Sequence, residues 1–142
     1  MNSIKAHITH ITTDSGCALV SAECIFGTFY VLIIESLGFK LQDEVCISFK
    51  ENEVFLLDNT TPLGSFNAFR GRLLTCEKSS LFTRISLLPL PSSNQSCNHC
   101  APAVQTPIYA LIPSLKPLHL QEGEIYTWCV SSSHIILEDS HQ

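Results

Sequence analysis

Apolar and polar residues alternate through Ile4, Ala6, Ile8 and His10, the period-two signature of a strand with one buried face. Thr12-Thr13-Asp14-Ser15-Gly16 has turn chemistry, and Cys17-Ala18-Leu19-Val20 resumes as a second strand. Phe26-Gly27-Thr28 marks a hairpin or bulge before Phe29 to Ile34, an apolar run rich in β-formers. Val45-Ile47-Phe49 and Val54-Leu56 read as two more strands, on either side of Lys50-Glu51-Asn52-Glu53. Between Ser36 and Leu41 the spacing predicts one short helix, capped by Ser36.

This pattern occurs twice. Asn2-Ser3-Ile4-Lys5-Ala6-His7-Ile8 is matched by Asn67-Ala68-Phe69-Arg70-Gly71-Arg72-Leu73, an offset of 65 residues. The offset grows to 78 between Ser36 and Ser114, and is 81 between Val54 and Ile135. The second copy therefore carries 78 − 65 = 13 extra residues in its middle. Pro89 to Pro102, rich in Pro, Ser and Asn, is the stretch that accommodates them as a loop. The second helix falls on Ser114 to Leu120, and the copies join through the turn-formers Asn59 to Ser65. The expected domains are 1–62 and 63–142, the second with a loop insertion around 89–105. Five short strands and one short helix per copy predict a mainly β fold of two tandem small OB-type β-barrels.

Composition narrows the function. The 142 residues are 45% hydrophobic and 15% charged, so a packed core is expected rather than disorder. Eight Lys and Arg against 13 Asp and Glu give a net charge of −5, which argues against nucleic acid as a partner. The longest apolar run, Tyr30 to Ile34, is too short to span a membrane, and no signal-peptide pattern opens the chain. A soluble, cytoplasmic protein is expected. The seven cysteines are odd in number, and five lie in apolar strand-like runs. They read as reduced thiols acting as small buried hydrophobes.

The order of motifs resembles that of Mop/TOBE domains, the small oxyanion-binding modules of molybdate- and tungstate-handling proteins. In the first copy Asn2, Glu35-Ser36, Leu37-Gly38-Phe39, Glu44-Val45 and Phe49-Lys50-Glu51 carry the likeness. In the second copy it lies in Asn67, Arg70-Gly71-Arg72, Ser114 and Leu118-His119-Leu120-Gln121-Glu122-Gly123. The resemblance covers nearly the whole chain and implies a molbindin-like tandem. It implies molybdate or tungstate as ligand, with no covalent cofactor, and a role in storage, homeostasis or sensing. The family's Arg position is Phe66 in the second copy, and its Lys position is Ser131. A degenerate regulatory or protein-interaction module that no longer binds the anion is the alternative.

A tetrahedral dianion is held by backbone N–H groups, hydroxyls and one or two cations, so an acidic protein can bind it. Lys50 is the candidate point charge, and Ser3, Ser65, Ser131 and Ser132 are candidate hydroxyl donors. Asn2 and Asn67 are read either as ligand contacts or as side chains that hold neighbouring backbone in place. Thr12, Thr13, Ser15 and Gly16, loosely matched by Lys78, Ser79 and Ser80, form a second candidate turn, although Asp14 within it repels anions. Cys97, His99 and Cys100 are weak metal candidates, since a zinc site needs four ligands from separated segments.

Enzymatic motifs are missing from the sequence: there is no Gly-x-Ser-x-Gly, P-loop, His-Glu-x-x-His or Gly-x-Gly-x-x-Gly. A non-enzymatic binding protein is expected. Six Mop-like domains per assembly imply a homotrimer for a two-domain chain. The apolar surplus of Phe26, Phe29, Tyr30, Phe66, Phe69 and Trp128 is expected at its subunit contacts.

Overall fold

The computed structural model describes residues 1–34, 38–57, 67–91, 106–114 and 119–140. The first copy supplies β1 (Asn2–Asp14), β2 (Cys17–Cys24), β3 (Gly27–Ile33), β4 (Glu44–Phe49) and β5 (Val54–Leu57). The second supplies β6 (Ala68–Lys78), β7 (Phe82–Pro89), β8 (Ile108–Pro113), β9 (Ile125–Val130) and β10 (Ile136–Asp139). The protein is mainly β. The alternation read at Ile4, Ala6 and Ile8 is the buried face of β1, with Ser3, Lys5 and His7 outside.

The strands make two antiparallel five-stranded sheets, ordered β10-β4-β1-β2-β3 and β5-β9-β6-β7-β8. Each sheet takes four strands from one copy and its last strand from the other. β5 pairs with β9 through Val54↔Val130 to Leu57↔Thr127, and β10 pairs with β4 through Ile136↔Ser48 to Asp139↔Val45. The chain crosses from one sheet to the other between β4 and β5, at Lys50 to Glu53, so β5 already lies in the sheet of the second copy, ahead of the boundary expected between 62 and 63. The copies keep their internal registers: β1 shifts against β2 between Ile8 and His10, and β6 against β7 between Leu73 and Thr75. In both, the loop before the fourth strand is bonded to the first strand. Gln42 N–H donates to Ile8 O at 2.7 Å, and Gly123 N–H to Leu73 O at 2.8 Å.

One core fills the space between the sheets, with residues of both copies in the same cluster. At its centre Phe26, Phe29 and Phe49 meet Phe69 and Trp128 of the second copy. Phe29 lies 4.6 Å from Phe69, and Phe69 lies 5.0 Å from Trp128, measured between ring centroids. Each such pair adds about 0.5–1.5 kcal/mol beyond burial, so this cluster ties the copies together. Trp128 is fully buried, and its indole N–H has no hydrogen-bond partner among the described residues. It fits because Gly71 opposite has no side chain: a Cβ there would lie 3.3 Å from Nε1 and 3.1 Å from Leu87 Cβ.

The core corrects two expectations. Phe26, Phe29, Phe69 and Trp128, expected at subunit contacts, are buried inside the single chain. Two sheets packed face to face bury more aromatic surface than either copy could alone. Tyr30 is 38% exposed, and Phe66 lies outside the described residues. Of the five described cysteines, all unpaired, only Cys24 is buried; Cys46, Cys76 and Cys129 are half-buried and Cys17 is exposed. These thiols stand on outward or peripheral strand positions, which the apolar runs around them conceal.

Of the helices expected at Ser36 to Leu41 and Ser114 to Leu120, positions 36–37 and 115–118 lie outside the described residues. Their described neighbours, Gly38 to Leu41 and His119 to Leu120, are not helical. The helical pieces among the described residues are the one-turn 3-10 helices Glu51–Glu53 and Ser132–His134. No helix among them is long and apolar enough to cross a membrane.

Candidate functional site

The starts of the first strands and the ends of the fourth strands gather at one end of the paired sheets. Asn2 opposes Phe49 in the ladder, and Asn67 Nδ2 donates to Val130 O at 3.1 Å. Lys50 follows Phe49 and Ser131 follows Val130. Both adopt extended backbone, φ/ψ −75/150 and −64/139, before their one-turn helices. The two turns meet where His134 Nδ1 lies 2.8 Å from Glu53 Oε2. Glu53 and His134 occupy matching positions of the two copies, so this contact marks the pseudo-twofold axis. Asn2, Lys50, Asn67, Ser131 and Ser132 thus share one end of the molecule.

Each asparagine side chain engages the other copy. Asn2 Oδ1 accepts from Tyr109 N–H at 2.8 Å, and its Nδ2 donates to Tyr109 O at 2.9 Å. Asn67 Oδ1 accepts from Tyr30 N–H at 2.7 Å, and its Nδ2 donates to Tyr30 O at 2.9 Å. With the Val130 bond, the amide of Asn67 has both hydrogens and its oxygen engaged. Both residues are buried. Holding neighbouring backbone, one of the two readings of these asparagines, is what their side chains do here.

The hydroxyl candidates are dispersed. Ser131 Oγ lies 3.1 Å from Ser133 Oγ, and Ser132 is half-buried beside it. Ser3 points outward from β1, its Oγ 2.6 Å from Cys46 Sγ. Ser65 lies outside the described residues, as do Cys97, His99 and Cys100. Among the described residues no group of three or more His, Cys, Asp or Glu could hold a metal ion. Lys50 is exposed at the N-terminal edge of its turn.

The second candidate turn is the β1–β2 hairpin. Ser15 and Gly16 take positive φ, 51° and 81°, and a cavity of about 410 Å³ is lined by Thr13 to Ala18. Ser15 Oγ donates to Asp14 Oδ1 at 3.0 Å, so the hydroxyl is engaged by a carboxylate that repels anions. In the matching β6–β7 turn Ser79 Oγ donates to Phe82 O at 2.9 Å, a local turn closure.

The site also contains an ion pair that the sequence reading did not find. Arg84 of β7 donates from Nε to Glu51 Oε1 at 2.9 Å and from Nη2 to Oε2 at 3.4 Å. Its guanidinium carbon lies 4.4 Å from the Tyr109 ring centroid, a cation–π contact. The Met1 amino group lies 3.8 Å from Glu51 Oε2. The Arg84 hydrogen bond holds the Glu51 carboxyl below the usual carboxylate range, and Glu51 in turn raises the guanidinium. Tyr30 and Tyr109 match by register, since Ser21↔Tyr30 repeats as Ser86↔Tyr109. By the same register Arg84 matches Leu19, and Glu51 matches Ser132, so the second position lacks both charges. Extending the repeat alignment through β2 and β7 would have singled out Arg84, because it stands where its counterpart is apolar.

No family model matches the sequence, and no curated protein matches it. In fold, the chain is similar to the cytoplasmic molybdate-binding protein ModG, crystallised with molybdate bound. The TM-score is 0.78 at 18% sequence identity, over 97% of this chain and 95% of that one.

Proposed function

We propose that this protein binds a tetrahedral oxyanion larger than sulfate, molybdate or its heavier congener tungstate, as a tandem Mop/TOBE-like binding protein rather than an enzyme. The observation that carries the reading is the likeness of fold to a molybdate-binding protein over almost the full length of both chains. Lys50, Arg84, Ser131 and Ser132, at one end of the sheets, support the reading as its cations and hydroxyls, and Ser3 and Ser65 are further donors in the proposal. Asn2 and Asn67 hold the backbone around them. Each copy is read as an OB-type unit whose sheet is extended by the other copy's last strand. The assembly is a homotrimer in the cytoplasm, and the bound anion is stored, buffered or sensed.

Charge-assisted hydrogen bonds of about 1.5–3 kcal/mol each make four or five contacts sufficient for micromolar binding. Calorimetry with molybdate, tungstate and sulfate tests the reading. Heat with the first two and none with sulfate supports it; no heat at millimolar concentration overturns it. Sedimentation equilibrium tests the trimer, for which a mass about three times 15.7 kDa is expected.

A second reading rests on the same end of the molecule. Ser131 stands where a lysine is expected, and Glu51 and Glu53 place two carboxylates there. A regulatory or protein-interaction module without the ligand would tolerate both features, and the calorimetric blank is its signature.

A further inference from the structure

Two matching positions exist at the sheet ends, and they differ in charge. At one, Arg84 lies over Tyr109 with its fork filled by Glu51. At the other, Leu19 and Ser132 hold the positions that match Arg84 and Glu51, and Tyr30 the one that matches Tyr109. A carboxylate held by Nε and Nη2 of an arginine presents two oxygens to the fork, the geometry in which a tetrahedral oxyanion is also received. The stack on Tyr109 constrains the guanidinium, and Asn2 anchors the Tyr109 backbone from the β1 start. The fork is therefore pre-organised, and Lys50, exposed, precedes Glu51 at the start of the same turn.

We infer that Arg84 is the cation that receives the oxyanion in this protein, and that the Glu51 carboxylate occupies its fork as a built-in competitor when no oxyanion is bound. The inference rests on the oxyanion reading and adds a residue that the family resemblance does not supply. A dianion displaces the monoanionic carboxylate because it carries twice the charge to the same donors, and Glu51, on a one-turn helix, swings to solvent. Glu51 thereby lowers the apparent affinity for any anion by one common factor, the fraction of molecules in which the fork stands free. The Leu19 position cannot do the same, so one oxyanion per chain is held in this way.

Calorimetry with molybdate and with sulfate on the intact protein, Glu51→Gln, Arg84→Ala and Arg84→Lys tests it. Glu51→Gln is expected to bind molybdate several-fold more tightly. Arg84→Ala is expected to bind it about tenfold or more weakly, the loss of one charge-assisted contact pair. Arg84→Lys, which keeps the charge without the fork, falls between them. Circular dichroism on each variant identifies any that fails to fold, and Arg84→Lys then stands in for Arg84→Ala. If the intact protein binds molybdate and Arg84→Ala binds it equally, this inference is overturned and the oxyanion reading survives. A Glu51→Gln affinity equal to or below the parent's overturns the competitor role, whatever Arg84→Ala does. If neither the parent nor Glu51→Gln binds, both the inference and the oxyanion reading fail.

Discussion

Asn67 and Tyr30 belong to different copies of the repeat, yet the Asn67 side chain brackets the Tyr30 backbone. Its oxygen takes the Tyr30 N–H at 2.7 Å, and its amide gives to the Tyr30 carbonyl at 2.9 Å. An asparagine is suited twice over, because Asn67 sits at φ 55, a left-handed conformation that it tolerates better than most residues. Asn67→Ala should lower stability by about 2–4 kcal/mol, from three lost hydrogen bonds and the strained backbone. Asn67→Gly removes the same bonds without the strain and should be the milder change. Urea unfolding of the two variants measures both; equal losses would show that the backbone conformation contributes nothing.

The strand exchange predicts that neither copy folds alone. Residues 1–62 lack β10, with Leu137 at 7% exposure, and lose Phe69 and Trp128 from the core. Expressed separately, 1–62 and 63–142 should show no cooperative unfolding by circular dichroism, and mixing them should restore it. Cooperative melting of 1–62 by itself would contradict this.

Gln42 and Gly123 occupy the same turn in the two copies, at φ 71 and 89, each donating its N–H to the first strand. The left-handed region is strained for glutamine and free for glycine. Gln42→Gly should therefore stabilise the protein by about 0.5–1 kcal/mol, net of the added freedom of the unfolded chain. Gly123→Gln should destabilise it by a similar amount, and thermal melts report both.

Burial pushes the Cys24 thiol up to about 11, whereas Cys17 is exposed. At pH 8 iodoacetamide should modify Cys17 readily and leave Cys24 untouched in the folded protein. The raised value also sets a sign. The folded state holds the Cys24 proton more tightly than the unfolded one, so this contribution is intact below pH 9. It is lost as the pH rises from 9 towards 11, by about 2–3 kcal/mol. Cys24→Ala should flatten that part of the alkaline stability profile.

Glu51 has the opposite sign. Its carboxyl is lowered by Arg84, so its contribution is present above the ordinary carboxylate range and is lost as the pH falls through the lowered value. Because the pair is partly exposed, Glu51→Gln should melt only slightly below the parent at pH 7, and the two should converge in acid.

The strands were legible because alternation at Ile4, Ala6 and Ile8 and the run from Phe29 record local burial, and β-structure of this kind is written at period two. The repeat was legible for the same reason, in the matches of Asn2 with Asn67 and of Val54 with Ile135, while the shared turn at Gln42 and Gly123 emerged only in the structure. Sequence alone therefore determined a mainly β chain of two similar halves, acidic and without the usual catalytic motifs. It could not show which strands pair across the halves: β5 and β10 have the same apolar pattern whichever sheet receives them, and only packing of both sheets on one core selects the exchange. Nor could it show that Phe26, Phe29, Phe69 and Trp128 face each other rather than a neighbouring subunit, since hydrophobicity does not name its partner. Arg84 and Glu51 lie far apart in the chain, and only the tertiary structure brings their charges together beside Tyr109.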